Sequence, residues 1–201
     1  MKIISNILMV LGVIAIIVIL AVVMGIVLYS MAPPLKNDLV PVPVSAEALK
    51  SFDQKVDTFI KQAEAAAEAK EQKQLTLTIT DEEINSKIVE QLAQGELPVK
   101  QLMINFNEDI CKVYAVLNNP GIKAKIGLVT QLTIQNKDIK LVVADLQVGR
   151  LPLTKPMVKQ LGSIADILFK MEGLTSDLPV DITSISIEDE LLTLKGVTRL
   201  E

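Results

Sequence analysis

Hydrophobic and polar positions follow three different rhythms along this chain, and each rhythm marks a different kind of element. Between residues 7 and 29 there is no alternation: 23 consecutive positions carry no charged or strongly polar side chain. A helix of that length measures ~35 Å, enough to cross a hydrocarbon core of roughly 30 Å with modest tilt. The run is rich in Val and Ile, which disfavour a helix in water, but in lipid the backbone must satisfy its own hydrogen bonds and a helix forms regardless. The rival reading is a cleaved signal peptide ending at Ser30-Met31-Ala32. It conflicts with the length of the run and with Pro33 directly after the bond. No Cys sits just after the run, so a lipoprotein anchor is excluded. Lys2 before the run and Lys36 and Lys50 after it leave the positive-inside bias nearly flat. The short N-terminal flank favours a cytoplasmic N-terminus with the remainder of the chain outside.

Residues 32–44 hold Pro33, Pro34, Pro41 and Pro43. Such a stretch favours extended backbone and predicts a semi-rigid spacer that holds a domain clear of the headgroups. The chain therefore divides into an anchor (1–31), a Pro-rich linker (32–44) and one soluble domain (45–201).

The second rhythm is helical. Leu49, Phe52, Val56, Phe59, Ile60, Ala63 and Ala67 recur at three- and four-residue spacing and predict an amphipathic helix over 46–70. Its stripe is expected to pack on the domain's own sheet. Thr80-Asp81-Glu82-Glu83 forms a capping box, with Ile84, Ile88 and Leu92 on the buried face of the helix it opens and Gly95 at its end. The three acids suit the first turn of a helix, where the dipole favours negative charge, better than a metal site. A further helix is expected from Thr154 to about Met171, with Met157, Val158, Leu161, Ile164, Ala165 and Leu168 as its stripe and Gly173 as its stop.

The third rhythm has a period of two. Residues 74–80, 99–106, 110–117, 122–135, 139–148, 181–187 and 191–197 read as strands. Short turn signals separate them: Asn107-Glu108-Asp109, Asn118-Asn119-Pro120-Gly121, Asn136-Lys137-Asp138 and Glu188-Asp189-Glu190. Connections this short force antiparallel neighbours, hence a meander and a closing hairpin. On the longest strand Ile122, Ala124, Ile126, Leu128, Leu132 and Ile134 share one face, opposite Lys123, Lys125, Gln131, Thr133 and Gln135. A strand of that length must twist and coil, and Gly127 is the natural place for a bend or bulge. The predicted class is α+β: an N-terminal transmembrane helix, then a long curved antiparallel β-meander packed with amphipathic helices.

Composition narrows the chemistry. Half of the residues are apolar, with four Phe, two Tyr and no Trp, so the core is aliphatic. There is no His, which removes the commonest general base and metal ligand together. The single Cys111 can make no intrachain disulfide and lies in an alternating run, as a buried structural thiol does. A net charge of −4 without a basic cluster argues against nucleic acid as a partner. With no nucleophile–base pair, Gly-rich phosphate loop or metal spacing, neither catalysis nor a cofactor is expected. The acidic turn 188–190 lacks the ligand spacing of a calcium loop and reads as a solvated turn.

The order of these motifs resembles the YpmS-like proteins, a group of membrane-anchored bacterial proteins. Its carriers are Thr80-Asp81-Glu82-Glu83-Ile84-Asn85 opening a short helix and Val148-Gly149-Arg150-Leu151-Pro152-Leu153 leading into a second one, over residues 74–198. More distantly the architecture is similar to the tubular lipid-binding superfamily, in which a coiled sheet wraps a helix and leaves an apolar groove. That resemblance implies a lipid or other apolar ligand and brings no catalytic residues with it. The expected groove is lined by Ile126, Leu128, Leu132 and Ile134 of the sheet and by Leu161, Ile164 and Leu168 of the second helix. The expected role is a non-enzymatic, membrane-tethered module at the outer face of the cell membrane, with a lipid as ligand. The alternative is a cell-envelope scaffold with a solid core and a protein partner. A reporter active only in the cytoplasm, fused after Glu201, should stay silent; a strong signal would reverse the orientation.

Overall fold

The computed structural model describes residues 24–95, 99–117, 124–135, 137–153 and 179–199. Residues 7–23 of the apolar run, the Pro120-Gly121 turn, Ile122 and Lys123, and the expected helix with Leu161, Ile164 and Leu168 lie outside them. Residues 24–30 are helical. Among the described residues no helix is long and apolar enough to cross a membrane.

The fold is α+β with antiparallel sheets. Helix α1 spans Ala46–Glu68 and α2 spans Asp81–Gln94, and the strands are β1 (Gln74–Thr80), β2 (Val99–Asn107), β3 (Ile110–Leu117), β4 (Lys125–Gln135), β5 (Asp138–Val148), β6 (Val180–Glu188) and β7 (Leu191–Thr198). Local chemistry sets the boundaries. The Ser45 hydroxyl accepts the Ala48 N–H and starts α1. Thr80 and Glu83 make both bonds of the capping box, and Gly95 closes α2 in the left-handed conformation.

The strands fall into two sheets. The meander forms a four-stranded sheet in the order β2-β3-β4-β5, while the closing hairpin joins β1 in a three-stranded sheet, β1-β7-β6. Pairing of β1 with β7 spans more than a hundred residues, with Leu77 opposite Leu194. Along the meander Cys111 pairs with Thr130, Val113 with Leu128 and Ala115 with Ile126, so these residues share one face, here termed inner. Tyr114, Gly127 and Gln147 share the outer face.

The bulge lies elsewhere than the glycine suggested. Val129 and Thr130 face Asp145 and Val143, leaving Ala144 of β5 as the extra residue. Gly127 is regularly paired and serves close approach instead. A Cβ there would lie 3.0 Å from Leu35 Cβ and 3.3 Å from Pro33 Cγ.

That contact belongs to the Pro-rich stretch, which does not stand clear of the domain as a spacer. It crosses the outer face as a strap. Pro34–Asp38 forms a short 3-10 helix, and Leu35 and Leu39 are buried. Leu35 N–H donates to Gln147 Oε1 at 2.9 Å on β5. At the far side of the sheet Asn105 of β2 grips Val40 twice, accepting its N–H at 3.0 Å and donating to its carbonyl at 3.1 Å. Lys36 then lies 5.2 Å from the ring centroid of Tyr114, which is 1% exposed beneath the strap.

Strand β6 closes one end of the inner face. Ile182 N–H donates to Lys137 O in the β4–β5 turn, and Asp109 N–H in the β2–β3 turn donates to Ile187 O. β6 thus runs between these two turns, at the end of the sheet we call distal. Two core clusters form beneath it. Phe59 and Ala63 of α1 meet Leu75, Val180 and Ile182, with Ile134 and Ile139 against them. Phe106, Cys111 and Ile187 form the other, with Ile84, Val113, Leu132 and Leu192 against them. The α1 stripe therefore packs on the domain's own core.

Leu128→Asp and Ile134→Asp each place an unpaired charge on this inner face and should lower stability by more than about 4 kcal/mol. Gln131→Asp, at an exposed outer position, should stay within about 0.5 kcal/mol of the parent. Urea unfolding midpoints read the difference; equal losses on both faces would refute the register.

Candidate functional site

The four sheet residues expected to line a groove do share one face. Ile126 is half-buried between Ala115 of β3 and Val148 of β5, and Leu128, 4% exposed, lies between Val113 and Leu146. Thr130 follows on the same face with no exposure, its hydroxyl donating to Cys111 O at 3.3 Å. Its parity with Leu128 and Leu132 was the signal for that placement. Leu132 packs on the cluster of Phe106, Cys111 and Ile187, and Ile134 on that of Phe59, Val180 and Ile182. The face thus has two parts. The distal part, Leu132 and Ile134, is covered by the chain's own β6 and α1. The proximal part continues toward Gly149 and is covered as well: Leu128, Ala115 and Leu146 are buried, and Ile126 is half-buried. Leu161, Ile164 and Leu168 lie outside the described residues.

Cys111 sits within this face and is not a reactive thiol. Burial pushes its pKa up to about 12, so the nucleophilic thiolate is absent near neutrality.

The acidic motif 80–85 is committed to structure at the edge of β2. Asn85 treats Ile104 as a neighbouring strand would, donating to its carbonyl at 2.7 Å and accepting its N–H at 3.0 Å. Asp81 accepts Phe106 N–H at 2.9 Å and the Asn105 amide at 3.2 Å. Burial raises the Asp81 carboxyl above the usual range, against those two hydrogen bonds, which lower it. Glu83 accepts from Ser51 at 2.6 Å, Lys55 at 2.9 Å and Thr80 N–H at 3.0 Å. Burial alone would raise the Glu83 carboxyl; the hydrogen bonds from Lys55, Ser51 and Thr80 outweigh it and hold it below the usual range. Glu82 accepts from the Ser45 hydroxyl at 2.9 Å. Between this motif and the strap lies a cleft of about 650 Å³ walled by Val40, Pro41, Phe106 and Leu191. Of the acidic residues lining it, Asp81 and Glu82 are spent on the contacts above, while Asp38, Asp189 and Glu190 line it beside Lys112. Among the described residues no group of three His, Cys, Asp or Glu has a metal-binding arrangement.

The second motif, 148–153, builds a dock at the proximal end. Gly149 has φ +58° and donates to Lys125 O at 2.7 Å. Arg150 N–H donates to Leu28 O at 2.8 Å, in the last turn of the helical residues 24–30. A Cβ on Gly149 would lie 2.4 Å from Leu28 O and 2.5 Å from Tyr29 O, so only glycine admits the helix end. This role was hidden in the sequence, where Gly149 and Arg150 stood out only as part of the resemblance.

No family model matches the chain, and no curated protein is significantly similar to it.

The Glu83 carboxyl titrates lower in the folded chain than in the unfolded one, so its contribution is full above the ordinary glutamate value of 4.5 and is lost as pH falls through the folded value. Glu83→Gln removes that proton linkage and unmakes part of the cluster. It should lower stability by about 1–3 kcal/mol at neutral pH and flatten the fall of the denaturation midpoint toward acid. An unchanged acid slope would show that Glu83 does not carry it.

Proposed function

We propose that this chain is a single-pass membrane protein, N-terminus cytoplasmic and domain extracytoplasmic, that binds a lipid acyl chain without catalysing a reaction. The residues for this role are Ile126 and Leu128 with Ala115 and Leu146, joined by Leu161, Ile164 and Leu168. One observation carries the reading: the apolar inner face runs on to Val148, next to the turn that holds the end of the apolar N-terminal helix. An acyl chain needs buried apolar contact and little hydrogen bonding, which aliphatic walls supply. The YpmS-like motifs and the distant likeness to tubular lipid-binding proteins support it as an analogy of fold.

A second reading, an envelope scaffold with a solid core and a protein partner, is favoured by the packing of Leu132 and Ile134 into the chain's own clusters. One experiment separates the two. The soluble fragment should begin at Ala32, because Leu35 and Leu39 belong to the core. Lipid binding predicts that it purifies with co-bound lipid, seen by native mass spectrometry and solvent extraction. Ala115→Phe, on the inner face beside Ile126, should reduce that occupancy. A fragment that stays lipid-free after incubation with membrane lipids sinks the binding reading and promotes the scaffold, in which Ala115→Phe only overpacks a core at a cost of roughly 1–3 kcal/mol.

A further inference from the structure

We infer that the 148–153 turn is a socket for the membrane helix, and that it holds the domain against the bilayer with the proximal end of the inner face at the headgroup layer. The inference rests on the anchor reading of the apolar run and adds where the domain stands. A helix leaves its last carbonyls without internal partners, and near lipid these are costly to strand. Here Arg150 N–H, from a residue more than a hundred positions away, takes Leu28 O, which Met31 N–H also reaches at 3.3 Å. The guanidinium follows the same path, its Nε donating to Ala32 O at 3.4 Å. A cation at this end of a helix is favoured by the helix dipole, and at the end of a membrane helix it lies at the level of lipid phosphates.

Exposure along the helical turn points the same way. Met24 is 59% exposed, Ile26 63% and Val27 42%, whereas Leu28 and Tyr29, nearer the socket, are half-buried. Large apolar side chains in succession, continuing a run that begins at residue 7, require cover that water does not give, and a bilayer gives it. Helix rise is ~1.5 Å per residue, so Arg150, bonded to Leu28, sits within about a turn of the point where the apolar run ends. Gly149 sets the distance, since any side chain there would strike Leu28 O and Tyr29 O.

The full chain, reconstituted in phosphatidylcholine–phosphatidylglycerol vesicles with a nitroxide on the lipid headgroup, tests this through a fluorophore on Pro152→Cys. A second label on Glu108→Cys marks the distal turn; the buried, protonated Cys111 stays unlabelled in the folded protein. Headgroup quenching is expected at position 152 and not at 108. Gly149→Val should abolish the quenching at 152 while the chain still floats with the vesicles. A flexible Gly-Ser insert between Ser30 and Met31 leaves the domain's own sequence intact and should have the same effect. If position 152 is unquenched in the floating parent, or stays quenched in both variants, the socket is refuted and the anchor stands. A chain that does not float refutes the anchor, and the socket with it.

Discussion

The open edge of β2 is the constraint around which the domain is arranged. An edge strand presents unpaired N–H and C=O groups, and leaving them without partners beneath other structure costs about 1–3 kcal/mol each. Among the described residues no further strand pairs with it. The amide of Asn85 and the carboxylate of Asp81 serve Ile104 and Phe106, and Glu190 N–H completes the set by donating to Phe106 O at 3.2 Å. Asp81 N–H in turn donates to Glu190 O at 3.0 Å. Helix α2, the β6–β7 hairpin and the four-stranded sheet therefore meet at one point, and Glu83 ties α1 to it through Ser51 and Lys55. Among the described strands the two sheets share no ladder, and this junction, the contacts of β6 and the packing of Phe59 and Ala63 join them.

What was legible in the sequence was local. The Thr80–Glu83 capping box, the Gly95 stop and the turns 108–109 and 189–190 depend on residues within a few positions of one another, and the structure has each of them. The inner-face parity of Ile126, Leu128, Leu132 and Ile134 was equally plain, because alternation is a property of one strand. The partner of β1 was not, since Leu77 and Leu194 carry no mark that they oppose each other. Nor was the meaning of Asp81, whose place in a first helical turn already had a sufficient explanation in the helix dipole, or of Asn85, which stood out only as part of the resemblance. Proline content announced extended backbone at 32–44 but said nothing of what that backbone lies on. Of the apolar residues in it Leu35 and Leu39 are buried while Val40 and Val44 are exposed, a division that composition alone does not show.

The meander is consequently covered on both sides by different means. Its outer face is crossed by a polypeptide strap fixed through Gln147 and Asn105, with Tyr114 enclosed under Lys36. Its inner face is capped distally by a strand and a helix whose contacts are aliphatic. A sheet treated this way can vary its proximal inner residues without disturbing the strap, because successive side chains point to opposite faces. Chemistry at Ile126 and Leu128 is thereby separated from the contacts at Gly127 that determine how the N-terminal segment enters.

The strap also has a mechanical reading. It is the covalent path from the N-terminal helix to α1, so tension between the two bears first on the Leu28–Arg150 bond, then on Leu35–Gln147, then on Val40–Asn105, and last on Ser45 N–H, which donates to the Ser86 hydroxyl at 3.1 Å. These attachments load one after another, as a seam opens, and yield at lower force than bonds sheared together. Released in full, residues 32–45 span roughly 45 Å when extended. A pull on the domain would pay out that length of tether before it bore on α1, and it would touch the junction at Asp81 only through Asn105, which holds Val40 and donates to Asp81 at 3.2 Å.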